Sequence, residues 1–163
     1  MTETDLIELA EKAVKKLKES NRTLALAESC TGGWVSKIIT DVSGASAVYK
    51  GGVCSYANQV KKDILGVKED SLKSFGAVSE QVAVEMANGV RKALKSDIGI
   101  GITGIAGPCS DGTSKPVGLI YVCIADGKTT VCKELRNNFK DNIRLQNRIS
   151  AVFTALNLLG DIK

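Results

Sequence analysis

Three short stretches of the sequence concentrate residue types that can do chemistry. The first, AESCTGGW at residues 27–34, places Ser29 and Thr31 beside Gly32 and Gly33, between an apolar run and an amphipathic run. Hydroxyl donors and unpaired N–H groups at a helix start suit a phosphate, a carboxylate or an oxyanion. The same residues also fit an ordinary Ser/Thr helix cap with turn glycines, so this stretch alone leaves both readings open.

The second stretch, GITGIAGP at residues 101–108, also follows a predicted buried strand and contributes Thr103, Gly104 and Gly107. It overlaps a G-x-G-x-x-G pattern, but the first two glycines lie inside the strand, and Pro108 follows where a dinucleotide-binding helix should begin. We therefore reject a dinucleotide site. Two glycine-rich loops at neighbouring strand ends instead predict two sides of one pocket.

The third stretch, CSYANQVKK, supplies Tyr56 at the end of a strand and Lys61 in the helix that follows. At about 100° per residue, Lys61 falls within the apolar arc of that helix, whereas Lys62 lies outside it. A buried lysine has a lowered pKa and can act as a neutral base. The alternative is that the stem of Lys61 packs against the protein while its ammonium group reaches solvent.

The chain has no histidine, which excludes Ser-His-Asp triads, Cys-His dyads and histidine zinc sites. Lys, Tyr, Asp or Glu must then supply any base. Cys30 is a competing nucleophile, because a helix N-terminus lowers a thiol pKa, but without histidine it lacks an acid–base partner. The five cysteines contain no CxxC motif and are expected to be reduced thiols in a cytoplasmic protein.

The bulk composition favours a soluble globular protein with a small ligand. The 22 basic and 18 acidic residues leave a charge of +4, without the basic block and interleaved aromatics typical of nucleic-acid binding. Neither a secretory signal nor an apolar run long enough for a membrane span is present. We therefore expect no nucleic-acid or membrane partner.

The elements that must position these residues follow from hydrophobic periodicity. Helical spacing alternates with short apolar strands, and a hairpin turns at Asp126-Gly127. The Gly51-Gly52 pair indicates a bulge or a close backbone approach in the strand before Tyr56. Helices interleaved with buried strands predict an α/β sandwich with a mixed sheet, and residues 1–163 are expected to form a single domain.

Three long motifs resemble the CinA family, and within it the C-terminal domain that occurs alone as an amidohydrolase. They are AESCTGGWVSKIITDVSGASAVYKGGVCSYAN, GAVSEQVAVEMANGV and GITGIAGP followed by KPVG. The resemblance implies an α/β/α fold and hydrolysis of nicotinamide mononucleotide to nicotinic acid mononucleotide and ammonia, by serine and lysine without a cofactor or metal. A small α/β enzyme of this kind is also expected to form a homodimer.

The resemblance also implies functional positions, which are Ser29, Ser46, Tyr56, Lys61, Thr103 and Arg144. Lys61 is expected to be the base and Tyr56 to relay a proton or hold the lysine. Ser46, in SGASA, is the preferred nucleophile, with Ser29 binding phosphate or oxyanion, although the two serines could exchange roles. Thr103 would donate to the substrate and Arg144 would pair with its phosphate.

Two departures from the family pattern concern the substrate. The loop AGPCSDG replaces the common AGPGG, and Lys140 stands where the family has an arginine, which keeps the charge but loses bidentate phosphate binding. Two other functions remain open. One is a nucleotide-binding module without chemistry, and the other is a Tyr/Lys reductase, for which Tyr56 and Lys61 are five rather than four residues apart.

Overall fold

A computed structural model describes residues 2–162 of the chain. These residues form six α-helices and five β-strands. The helices are α1 (Glu3–Glu19), α2 (Trp34–Thr40), α3 (Asn58–Leu65), α4 (Glu69–Phe75), α5 (Glu80–Ala93) and α6 (Ile143–Gly160). The strands are β1 (Leu24–Glu28), β2 (Tyr49–Cys54), β3 (Ile98–Gly104), β4 (Leu119–Ala125) and β5 (Thr130–Arg136), and a single 3₁₀ turn spans Ala45–Ala47.

The five strands form one mixed sheet in the order β2-β1-β3-β4-β5. Strand β1 runs parallel to β2 and β3, whereas β4 and β5 are antiparallel to their neighbours. Helices α1, α2 and α6 cover one face and helices α3 and α5 the other, with α4 packed beside α5. The predicted α/β sandwich with a mixed sheet is therefore confirmed as a three-layer α/β/α fold.

Glycines let helix α5 approach strand β3 closely. A Cβ atom on Gly99 would lie 2.0 Å from the carbonyl oxygen of Ala87, and one on Gly101 would lie 2.2 Å from that of Ala83. Both glycines lie inside β3. The G-x-G-x-x-G pattern thus serves helix–sheet packing, in agreement with the rejection of a dinucleotide site.

The bulge predicted at Gly51-Gly52 is present in the β1–β2 ladder. Leu24 pairs with Tyr49 and Ala25 with Gly51, so Lys50 is the extra residue. The strand consequently shifts its register before it reaches its carboxyl end.

Two cysteines depart from the expectation of five reduced thiols. Cys123 on β4 and Cys132 on β5 face each other in register and form a disulfide, whereas Cys30, Cys54 and Cys109 are free. Sequence spacing could not reveal this pair, because a contact between directly opposed strand residues depends on hairpin register. None of the helices within residues 2–162 combines the length and apolar character that a bilayer crossing requires.

Candidate active site

The candidate site lies at the carboxyl ends of the parallel strands. Ser29 directly follows β1, Ser55 follows β2, and helix α3 returns Lys61 to the gap between them. The backbone joins these ends firmly, since Ser55 N–H donates to the carbonyl of Glu28 at 2.8 Å and Ser29 N–H donates to that of Ile102 at 3.0 Å. The strand ends therefore present Ser29 and Ser55 to one lysine.

Lys61 is the largest fully buried side chain of the described chain, at 1% exposure. Its Nζ lies 3.2 Å from Ser29 Oγ and donates to the carbonyl oxygen of Ser55 at 2.5 Å. The prediction that Lys61 points inward is confirmed, and a solvent-exposed ammonium group is excluded. Burial is the main cause that lowers the pKa of Lys61 to about 8, so an appreciable fraction is neutral near physiological pH.

Ser46 is not brought to Lys61. It is exposed in the 3₁₀ turn before β2, next to Val48, whose carbonyl accepts from the N–H of Leu24 at the start of β1. This is the amino edge of the parallel strands, and the six residues of β2 run from it toward the lysine. The structure therefore brings Ser29 and not Ser46 to Lys61 within the chain, so the alternative that exchanges the two serines fits the geometry, and the identity of the nucleophile stays a prediction.

The start of helix α2 is occupied by a carboxylate from the chain itself. Glu28, at 1% exposure, accepts from the N–H groups of Gly33 and Val35 at 3.1 Å each. It also accepts from the N–H and hydroxyl of Ser36 at 2.8 and 2.7 Å. Gly33 therefore gives its N–H to Glu28, so this group is not free for the substrate contact predicted for it.

The rest of the first loop is tightly folded. Gly32, at φ +62°, donates its N–H to the carbonyl of Ser29 at 3.0 Å, so this group is not free for a ligand either. Thr31 is fully buried, and its carbonyl accepts from Arg148 Nη2 at 2.8 Å. Within residues 2–162 the hydroxyl of Thr31 has no hydrogen-bond partner. Of the predicted ligands here, Ser29 and Thr31 keep a hydroxyl without a competing backbone acceptor.

The second loop is positioned as predicted, but its residues serve the fold. The buried Thr103 donates its hydroxyl proton to the carbonyl of Ala77 at 2.8 Å, so the predicted donation to substrate has another acceptor. A Cβ on Gly104 would lie 2.6 Å from a side-chain atom of Ile120, so this glycine permits strand packing. Gly107, at φ +79°, offers its carbonyl to a side chain of α6.

Exposed side chains form the outer edge of the site. Tyr56, 64% exposed, accepts a hydrogen bond from Arg144 Nη2 at 3.0 Å, and Arg144 Nη1 donates to the carbonyl of Gly107 at 2.9 Å. Arg144 lines a surface cleft of about 470 Å³ together with Lys140 and Arg148. We call Tyr56, Lys140 and Arg144 the basic rim. It joins the loops after β2 and β3 through one arginine.

Two other chemistries find no support in the site. Burial raises the pKa of Cys30 to about 12, so this thiol is protonated at neutral pH and is a poor nucleophile. Tyr56 bonds to Arg144 whereas Lys61 bonds to Ser29 and Ser55, so the described residues do not form a Tyr/Lys reductase pair. The described residues also contain no group of three or more His, Cys, Asp or Glu that could hold a metal ion.

Sequence reasoning missed three residues that shape the site. Glu28 and Ser55 were not considered, although both adjoin predicted positions. Arg148, stacked 5.0 Å from the centre of the Trp34 ring, was also missed. A usable signal existed only for Arg148, since it lies one helical turn after Arg144 and so shares its face.

Comparison with known proteins agrees with this fold. The family model described as CinA C-terminal domain matches residues 6–162. Nicotinamide-nucleotide amidohydrolase PncC of Escherichia coli is 41% identical over 156 residues, covering 94% of this chain and 94% of that protein. A crystal structure of the competence/damage inducible protein CihA from Agrobacterium tumefaciens is similar with a TM-score of 0.89 at 36% identity, covering 95% of this chain and 93% of that one.

Other relatives are much longer than this chain. The CinA-like protein of Thermotoga neapolitana is 42% identical over 144 residues, which are 88% of this chain but 35% of that protein. The chain spans about a third of the length of several curated relatives, 31% in three further cases. Since the family model covers almost every residue and the strand-end site lies within the matched range, the chain belongs to the CinA C-terminal domain family.

Proposed function

We propose that the protein is an amidohydrolase that converts nicotinamide mononucleotide to nicotinic acid mononucleotide and ammonia, with Ser29 as nucleophile and Lys61 as base. The observation that carries the proposal is the buried Lys61 Nζ, 3.2 Å from Ser29 Oγ. Further support comes from the Escherichia coli relative of the same length, which carries the name of this activity. The absence of histidine agrees with a lysine in the role of imidazole.

The reaction follows from the two groups. Neutral Lys61 takes the proton of Ser29 as Oγ attacks the carboxamide carbon, and the carbonyl oxygen becomes an oxyanion. Lys61 then gives that proton to the amide nitrogen, the C–N bond breaks, and ammonia leaves an acyl ester on Ser29. Water attacks the ester and gives a proton to Lys61, which passes that proton to Oγ as the C–Oγ bond breaks. This restores the hydroxyl and the neutral lysine, and the acid product loses its own proton to leave as the carboxylate.

The basic rim has the charge to bind the phosphate of such a nucleotide. Arg144 supplies a planar fork that pairs with phosphate oxygens, and Lys140 adds a second positive charge in the same cleft. Tyr56 bonds to Arg144 and not to Lys61, which favours a role in holding the arginine over a role in proton relay.

Ammonia release tests the proposal directly. Incubation with nicotinamide mononucleotide should yield equal amounts of ammonia and nicotinic acid mononucleotide, also in the presence of a chelator. Tight nucleotide binding without ammonia would favour the non-catalytic module. The homodimer stays a prediction, which sedimentation equilibrium would test.

A further inference from the structure

Glu28 connects the two halves of the proposed chemistry. Its carboxylate accepts four hydrogen bonds from Gly33, Val35 and Ser36, which anchors the turn that carries Ser29. Its carbonyl accepts from the N–H of Ser55, whose own carbonyl holds the ammonium group of the lysine. One buried residue therefore contacts both the serine side and the lysine side of the site.

The backbone N–H groups around Ser29 can be accounted for one by one. Those of residues 29, 32 and 34 donate to backbone carbonyls, and those of residues 33, 35 and 36 donate to Glu28. Within residues 2–162, the N–H groups of Cys30 and Thr31 donate to no backbone carbonyl, and the N–H of Cys30 faces only its own thiol. Both residues are buried and directly follow Ser29. Unpaired buried N–H groups are rare, and beside a nucleophile they can stabilise an oxyanion.

We propose that Glu28 is a positioning residue that holds the turn after Ser29, so that the N–H group of Cys30 receives the oxyanion. The inference rests on the proposed function. By taking the N–H groups further along, Glu28 fixes the direction of the turn and keeps the N–H of Cys30, which is 5% exposed, beside the nucleophile. Its charge is compensated by four donors, so it anchors the turn without acting on the substrate itself.

The test compares Glu28→Gln, Ser36→Ala and, as a matched control, Ser20→Ala. Glu28→Gln keeps the shape but replaces one acceptor oxygen by an NH₂ group that opposes N–H donors. Ser36→Ala removes one donor to the carboxylate. The control removes a hydroxyl that bonds to the carbonyl of Lys16 at the end of α1, away from the site. For each variant, kcat, KM and the affinity for nicotinic acid mononucleotide are measured well below its Tm.

For Glu28→Gln we expect kcat to fall by about 30-fold or more with KM and product affinity within about 3-fold, because oxyanion donors act on the transition state. Ser36→Ala should lower kcat by about 5-fold through loss of one of the anchoring hydrogen bonds, and Ser20→Ala should leave it unchanged. A kcat for Glu28→Gln within about 3-fold of wild type overturns the proposal, as does an equal loss of product affinity. If Glu28→Gln does not fold, an unchanged kcat for Ser36→Ala overturns the proposal.

A second measurement separates this inference from the proposed function. A fluorophosphonate reacts with an activated serine without any nucleotide, since the Oγ–P bond forms, fluoride leaves and the serine proton passes to Lys61. If the wild type labels at Ser29 but releases no ammonia from nicotinamide mononucleotide, the proposed function fails. Slower labelling of Glu28→Gln would still support the inference, and labelling at the wild-type rate would overturn it.

Discussion

The buried pair, Ser29 and Lys61, and the basic rim, Tyr56, Lys140 and Arg144, lie at the same edge of the sheet but differ in how they are held. Lys61 is enclosed, and its ammonium group bonds to one hydroxyl and one backbone carbonyl. The rim residues are exposed: Arg144 bonds to Tyr56 and to the carbonyl of Gly107, and Lys140 bonds to the side-chain oxygen of Asn138. One region is arranged before substrate arrives, whereas the other faces solvent.

This difference separates chemistry from binding. Burial removes a charged group from water and changes its pKa, as the lowered pKa of Lys61 shows. Charges at the surface are screened by salt within about 10 Å at 0.1 M and contribute modestly. Changes in the buried pair should therefore act on kcat, and changes in the rim should act on KM.

The largest expected effect is the loss of the nucleophile. Ser29→Ala should lower kcat by about 10⁴-fold or more, since removal of a covalent nucleophile eliminates the acyl-enzyme route. Ser46→Ala is the matched control, because it removes a hydroxyl at the opposite edge of the sheet and should retain full activity. Ammonia release by both variants measures the difference. An inactive Ser46→Ala with an active Ser29→Ala would reverse the assignment.

The second largest effect is expected from replacing Lys61, the proposed base. Lys61→Met fills a similar volume but cannot accept a proton, so kcat should fall by about 10³-fold, within the range for general acid–base catalysis. Lys62→Met, the exposed neighbour, should remain active. In the wild type, kcat/KM should rise with pH as Lys61 loses its proton near pH 8. A profile that is flat from pH 6 to 9 would argue against lysine as the base.

Substitutions in the basic rim should have a smaller effect, and on KM rather than on kcat. Arg144→Met should raise KM by about 10-fold with little change in kcat, because a phosphate contact is made equally in the ground and transition states. The effect should shrink at high ionic strength, where surface charge is screened. A fall in kcat with unchanged KM would show that Arg144 takes part in the chemical step. It would contradict the proposed difference between the buried pair and the basic rim.

The smallest expected effect is on stability. The pKa of Lys61 is about 8 in the folded chain against 10.5 as its ordinary value, so between these pH values the unfolded chain binds more protons. The contribution of Lys61 to the free energy of unfolding therefore increases from about pH 8 to about pH 10.5. Urea denaturation at pH 7.5 and pH 10 measures it as the difference between wild type and Lys61→Met. Lys62→Met should behave as wild type, and an equal pH response in all three proteins would contradict the buried lysine.

Much of the fold followed from local patterns because its causes are local. The turn predicted at Asp126-Gly127 depends on neighbouring residues only, and it is present. The disulfide between Cys123 and Cys132 depends on which residues of two strands face each other, and spacing along the chain does not determine that.

Sequence patterns alone could not decide between Ser29 and Ser46 as the nucleophile. Ser29 follows β1 and Ser46 precedes β2, so once β1 and β2 run parallel the two serines belong to opposite edges of the sheet. A prediction of strand direction would have separated them, whereas residue type could not. The role of Glu28 could not be predicted from the sequence for a related reason. Its four donors lie five to eight residues further along the chain and reach its carboxylate only after the turn has folded.

The sequence by itself determined that no imidazole can take part and that Lys61 lies on the apolar arc of its helix, since composition and helical periodicity are properties of the chain alone. Only the tertiary structure decided which serine meets the lysine and that Glu28 occupies the start of α2. The physical reason is that hydrogen bonds between segments distant in sequence require the strands to be placed first. The parallel arrangement of β1, β2 and β3 provides that placement.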